Sequence, residues 1–246
     1  MNNFAPPILQ TLAISGLTRK ETDIVTNLHS AIMEQRLLPG TRLTEEELGE
    51  IFEVSRMRIR RVLLALAHTG LIELPPGRGA IVARPTADQA RDIFAARKLI
   101  EGQLLETPLS EPTKKEIKTL NELCLQEDDA ADNDDRIRAI QLSGAFHISL
   151  AKIYGNAALA EIVTGLVARS ALIIAFYQSK MITCCRSNEH KSLLKLLTRK
   201  EFLKSGAKMR EHLQLIENSL AVDHLLSNAK DLRTMLIADK SEPKKM

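Results

Sequence analysis

Between residues 21 and 83 short helical patterns and turn signals follow one another too closely for anything but a small three-helix unit closed by a hairpin. Ile24, Val25, Leu28, Ala31 and Ile32 recur at helical spacing from 21 to 35, and Pro39-Gly40 ends the run. Thr44 followed by Glu47 is a capping-box pattern, which predicts a second, short helix with Leu48, Ile51 and Phe52 on its apolar face. Ser55 is placed to cap a third helix that carries Ile59, Val62, Leu63 and Leu66 and stops at Thr69-Gly70. Residues 71–74 and 80–83 then read as the two strands of a hairpin, with its turn over 75–79.

Pro85 closes this unit and Thr86 begins a long series of helical patterns. Helices are predicted near 87–106, 113–127, 134–153, 157–180, 187–199, 201–221 and 223–236, with no competing strand pattern. The acidic run of Glu127, Asp128, Asp129, Asp132, Asp134 and Asp135 reads as an exposed loop. Aromatic residues are only 3% of the chain and Trp is absent, so the core must come from Leu, Ile, Ala and Val, which suits helices. The expected protein is mainly α, with a flexible tail at 1–20, a three-helix unit with a small β-hairpin at 21–85, an all-helical bundle domain at 86–236 and a second tail at 237–246.

Several function classes recede on the same grounds. Cys124, Cys184 and Cys185 form neither a disulfide framework nor a CxxC spacing, which fits a reducing cytoplasm. The opening MNNFAPPILQ lacks a basic stretch ahead of a long apolar one, and the most apolar window, 157–177, contains Glu161 and Arg169; no membrane partner is expected. The net charge of +3 is too small to announce a nucleic-acid partner, so its distribution has to decide. Between 55 and 84 there are six arginines and a single acid, Glu73. On the third helix Met57, Arg60, Arg61, Leu64 and His68 oppose the apolar face, with Arg58 to one side. A run like this is often only solvated surface. Here it follows two short helices and precedes a glycine-tipped turn, Gly77-Arg78-Gly79, which fits a helix entering the major groove of DNA with a hairpin against the neighbouring minor groove.

The run LLPGTRLTEEELGEIFEVSRMRIRRVLLALAHTGLIELPPGRGAIV resembles the winged helix-turn-helix domain of the GntR transcription regulators over about residues 21–84. The Pro-Gly turn, the Val-Ser-Arg entry, the later arginine and the Gly-x-Gly wing are in register. The resemblance implies operator contacts from Ser55, Arg56 and Arg60, with Gly77, Arg78 and Gly79 as the wing; Arg58 and Arg61 are added as phosphate contacts. The chain departs from the family at Met57-Arg58, where Thr-Pro is common, at Arg61-Val62, where Glu-Ala is common, and at Glu46, where some members have arginine.

Of six histidines, His29, His68 and His224 receive only a packing or surface reading. His147, His190 and His212 sit on three separate predicted helices, and three neutral imidazoles suit a divalent metal, zinc or nickel, with a position left open. Their contexts, AFHISLAKIYGN, NEHKSLLKLL and MREHLQLIENSL, resemble the helical effector-binding domain of the FadR-like branch over roughly 88–222. That resemblance implies a metal ligated by an aspartate and three histidines, but Ser143 stands where the carboxylate belongs. Ser143, His147, His190 and His212 are therefore candidate effector ligands with or without metal, and Arg97 is either a further effector contact or the partner of Glu101 at i+4. The reading is a dimeric, metabolite-responsive repressor that binds double-stranded operator DNA and a small carboxylate effector, and not an enzyme. Two alternatives stay open: a metal-dependent hydrolase in the C-terminal domain, for which HExxH and nucleophile-elbow patterns are missing, and a DNA-binding protein without an effector.

Overall fold

Helix α1 (Arg19–Met33) begins two residues ahead of its expected start because Thr18 and Glu21 cap it reciprocally, Thr18 N donating to the Glu21 carboxylate at 2.7 Å and Glu21 N to the Thr18 hydroxyl at 3.4 Å. This is a computed structural model, and it describes residues 16–77, 79–178 and 188–221. The chain divides into two units between Arg84 and Pro85. The helix expected at 223–236, Arg78, Cys184, Cys185, His224 and the tails at 1–15 and 237–246 lie outside the described residues.

In the first unit, α1 is followed by β1 (Arg42–Leu43), α2 (Glu45–Phe52), α3 (Arg56–His68), β2 (Ile72–Glu73) and β3 (Ala80–Val82). Thr44 caps α2 in one direction only, accepting from Glu47 N at 3.2 Å. Ser55 holds the N-cap position of α3 without a capping bond from its hydroxyl. The expected hairpin is part of a three-stranded antiparallel sheet in the order β1-β3-β2, with Arg42 opposite Ile81 and Ile72 opposite Val82. Strand β1 escapes the sequence reading because two residues carry no period. Leu28, Ile32, Leu48, Ile59, Val62, Leu66 and Val82 are fully buried between helices and sheet, and a fully buried aliphatic side chain contributes about 1.5–3 kcal/mol.

The second unit comprises α4 (Ala87–Glu106), α5 (Lys114–Asp132), α6 (Arg136–Tyr154), α7 (Ala157–Tyr177), α8 (Asn188–Thr198) and α9 (Phe202–Asn218). Helix α4 packs along α9 and α7, α6 lies between α5 and α7, and α8 rests on α9 and α5. The α4–α9 crossing is close because glycines face it: a Cβ at Gly206 would lie 2.5 Å from Gly102 O and 2.2 Å from Glu106 Cγ. Helix α7 is long and apolar enough to cross a membrane, yet two thirds of its most apolar window is buried in the bundle. The acidic run corrects the expectation of a loop: α5 continues through it to Asp132, and Glu127 is only 1% exposed. The fold class is as expected, mainly α with a small sheet behind the helix-turn-helix region.

Candidate functional site

The exposed face of α3 carries Arg56, Arg58, Arg60 and Arg61 beside Met57 and Leu64, while Ile59, Val62, Leu63 and Leu66 turn inward. Ser55 is exposed at the start of this helix. Gly77 and Gly79 are exposed at the hairpin turn, both at φ +72°, a conformation in which an L side chain is strained, so the turn depends on glycine there. A cleft of about 370 Å³ lined by Arg42, Thr44, Glu45, Arg60, Leu64 and Pro75 separates α3 from the hairpin.

Acids from the two preceding helices meet three of these arginines. Arg60 pairs with Glu45 through two contacts, Nε to Oε1 at 2.8 Å and NH2 to Oε2 at 3.2 Å. Arg56 pairs with Glu46, and Arg61 with Glu21 at 3.1 Å and with the carbonyl of Gly16. Arg58 makes no ion pair among the described residues. The face that reads as strongly positive along the sequence is therefore largely compensated in the folded unit. These acid partners went unnoticed in the sequence because they lie on other elements.

In the second unit, His147 on α6, His190 on α8 and His212 on α9 meet in the core, each 1–2% exposed. His190 Nε2 lies 3.3 Å from His147 Nε2 and 3.2 Å from His212 Nε2, and one ring nitrogen from each of the three falls within 4.8 Å of the others. Each ring's Nδ1 meets a different carboxylate: Glu101 from α4 at 2.6 Å for His147, Glu127 from α5 at 2.7 Å for His190, and Glu189 from α8 at 2.6 Å for His212. A carboxylate accepts, so each Nδ1 donates and each Nε2 turns a lone pair inward. Phe146 stacks on His190 with ring centroids 4.3 Å apart, holding that ring from one side.

Burial is the largest single effect on Glu101 and opposes its charge, but the charges and hydrogen bonds of Arg97 and His147 together outweigh it and hold the carboxyl at about 2. Burial keeps His147 neutral, its value lowered to about 3. The hydrogen bond from His212 lowers Glu189 against a smaller opposing effect of burial. Arg97 joins the cluster through Glu101, at 2.6 Å, and also donates to Ser170 Oγ at 2.8 Å. Of the two readings of Arg97, the structure displays the contact with Glu101. Ser143 is buried one turn before His147 on α6 and offers a hydroxyl in place of a carboxylate. Glu127 was missed because it sits in the run read as a loop. A void of about 10 Å³, room for one water, borders Glu101 and His147 among Leu104, Leu105, Leu150 and Met209.

The donor set fits a divalent cation. Nitrogens about 2.0–2.1 Å from zinc stand roughly 3.0–3.4 Å apart when adjacent on the ion, which is the spacing from His190 to each neighbour. Residues 20–82 match the family described as bacterial regulatory proteins, gntR family, and residues 92–215 match the FCD domain. The repressor RspR of Escherichia coli K12 is 29% identical over 126 residues, covering 51% of this chain and 55% of that protein. The repressor NanR of Edwardsiella tarda is 28% identical over 184 residues, covering 63% and 70%. The chain thus spans about half the length of the first of these relatives. Among solved structures, a GntR transcriptional regulator from Rhodococcus sp. RHA1 superposes with a TM-score of 0.70 at 19% identity over 82% of this chain and 97% of its own. McbR/YncC of E. coli does so with a TM-score of 0.63 at 20% identity over 87% and 95%. At these identities the two structures speak for the fold.

Proposed function

Because the chain belongs to the GntR family of bacterial regulatory proteins, in the branch that carries an FCD domain, we propose that it is a metabolite-responsive transcription repressor acting as a homodimer on operator DNA. The observation that carries the DNA half is the exposed arginine row of α3 beside the glycine turn. In this reading Ser55, Arg56 and Arg60 contact base edges, Arg58 and Arg61 contact phosphates, and the turn that carries Gly77 and Gly79 serves as the wing. Two-fold dimers read half-sites about 34 Å apart or a multiple of it, so the operator is a palindrome. Similarity to RspR and NanR, both named as repressors, favours repression as the mode.

The sensing half rests on the histidine cluster. The inward lone pairs of His147 and His212, 3.3 and 3.2 Å from that of His190, repel it unless positive charge lies between them, either a proton on one Nε2 or a metal ion. We take zinc or nickel as the resident of His147, His190 and His212. Such an ion supplies an open coordination position that a carboxylate effector can fill, and Ser143, buried on the same helix face as His147, is the hydroxyl placed to hydrogen-bond that effector. Effector binding shifts operator affinity through a coupling of a few kcal/mol.

Mobility-shift titration against genomic fragments tests the DNA half. Wild-type protein selects a palindromic fragment with affinity falling steeply in salt, while Arg56→Ala and Arg60→Ala weaken it by about 1–3 kcal/mol each. Binding that ignores both substitutions and the salt concentration overturns the assignment. Elemental analysis of protein purified without chelator reads the occupancy of the histidine cluster directly.

A further inference from the structure

Ser143 leaves the histidine cluster without a carboxylate ligand, yet three carboxylates stand immediately behind it. They reach it from three helices, and each meets a different histidine. Glu101 and Glu127 are buried to 3% and 1% exposure, a costly state for an acid unless a positive charge answers it. Arg97 answers one of the three charges. Lys208, at the surface 3.9 Å from Glu189, is shared with Glu211 at 3.2 Å. Two of the three carboxylates thus stand at the cluster without a buried cation of their own, the number that one divalent cation balances. Glu127 is the most telling of the three: among the described residues no Lys or Arg pairs with it, and its carboxylate meets the Nδ1 of His190, the ring that stands between the other two.

We infer that Glu101, Glu127 and Glu189 are positioning residues for a divalent metal ion, fixing each histidine with its Nε2 lone pair inward and supplying from the outer ring the negative charge that Ser143 does not supply at the metal. The inference rests on the metal reading proposed above. It assigns the lost ligand charge to Glu127 above all. Outer carboxylates on ligand histidines of this kind govern affinity by about 10- to 100-fold.

The test is Co²⁺ titration of the full-length apo protein, followed by its visible absorption and by thermal unfolding. Wild type binds one Co²⁺ with a resolved visible band. Glu127→Gln, folded by circular dichroism, binds about 10- to 100-fold more weakly with an altered band, and Glu127→Asp recovers part of both. Adding Ser143→Asp to Glu127→Gln restores affinity by returning the charge to the metal itself. Should Glu127→Gln not fold, Glu189→Gln, whose side chain is 25% exposed, gives the same reading at a site that tolerates change. Wild type that takes up no Co²⁺ overturns the metal reading itself. Wild type that binds while Glu127→Gln and Glu189→Gln match it in affinity and spectrum overturns the positioning role alone.

Discussion

The guanidinium of Arg60 lies along the carboxylate of Glu45 with two nitrogen–oxygen contacts, 2.8 and 3.2 Å, on a surface proposed to meet DNA. Beside it Glu46 takes Arg56 through a single contact. Both pairs are well exposed, so neither contributes much to stability, since exposed pairs are worth about 0–1 kcal/mol. Their effect falls on binding, because a phosphate or a guanine edge has to displace a carboxylate from each arginine.

Glu46→Gln frees Arg56 and removes a negative charge from the DNA-facing side. Operator affinity is expected to rise up to about fivefold, and the slope of log affinity against log salt to steepen by about one. Salt titration of the mobility shift measures both, and unchanged affinity and slope would show that Arg56 never faces the duplex.

Gly206→Ala places a methyl against Gly102 O and the Glu106 side chain where α4 crosses α9. Gly102 O is backbone and cannot step aside, so the helices must separate, at a cost of about 1–3 kcal/mol. Because α4 carries Glu101 and α9 carries His212, the same substitution should weaken metal uptake along with the melting temperature. Melting and Co²⁺ titration of the variant check the two together.

His29 is buried on α1 with no partner for its Nδ1 among the described residues, and burial lowers it to about 4. The unfolded chain, with His29 at its ordinary value of about 6.5, binds the proton first on acidification. Stability is therefore full above about pH 6.5 and declines as pH falls towards 4, by about 3 kcal/mol at most from this residue. His29→Leu should flatten that decline. Denaturant unfolding of wild type and variant at pH 7.5 and 4.5 gives the difference, and parallel pH dependence would remove His29 from the account.

Added Zn²⁺ should raise the melting temperature of apo protein, with a stabilisation of about 2.7 kcal/mol once free metal stands a hundredfold above its dissociation constant. His212→Ala should abolish the rise. A rise that persists in His212→Ala places the ion elsewhere.

Helix α4 was legible to the residue, because Thr86 and Gln89 form a reciprocal cap and no proline interrupts the run to Glu106, its one glycine, Gly102, lying at the crossing with α9. The histidines could be singled out because each lies on its own helical pattern. Their glutamates could not all be: Glu127 lies in an acidic run whose composition argues for solvent, and only the approach of His190 from 63 positions away draws it inside. The charge of α3 misled in the same way. Glu46, Glu45 and Glu21 stand 10, 15 and 40 positions before Arg56, Arg60 and Arg61, and only packing of helix on helix brings them together. Local capping and period can be read along a chain, whereas pairing across helices depends on the tertiary arrangement.

The histidine cluster draws His147, His190 and His212 together across intervals of 43 and 22 residues, and through their glutamates it touches α4, α5, α6, α8 and α9. An ion at its centre is consequently a cross-link, closing two long loops at one point much as a pair of bridges would. Withdrawing it would loosen five helices at once, so amide exchange should speed up across the bundle and not only beside the imidazoles.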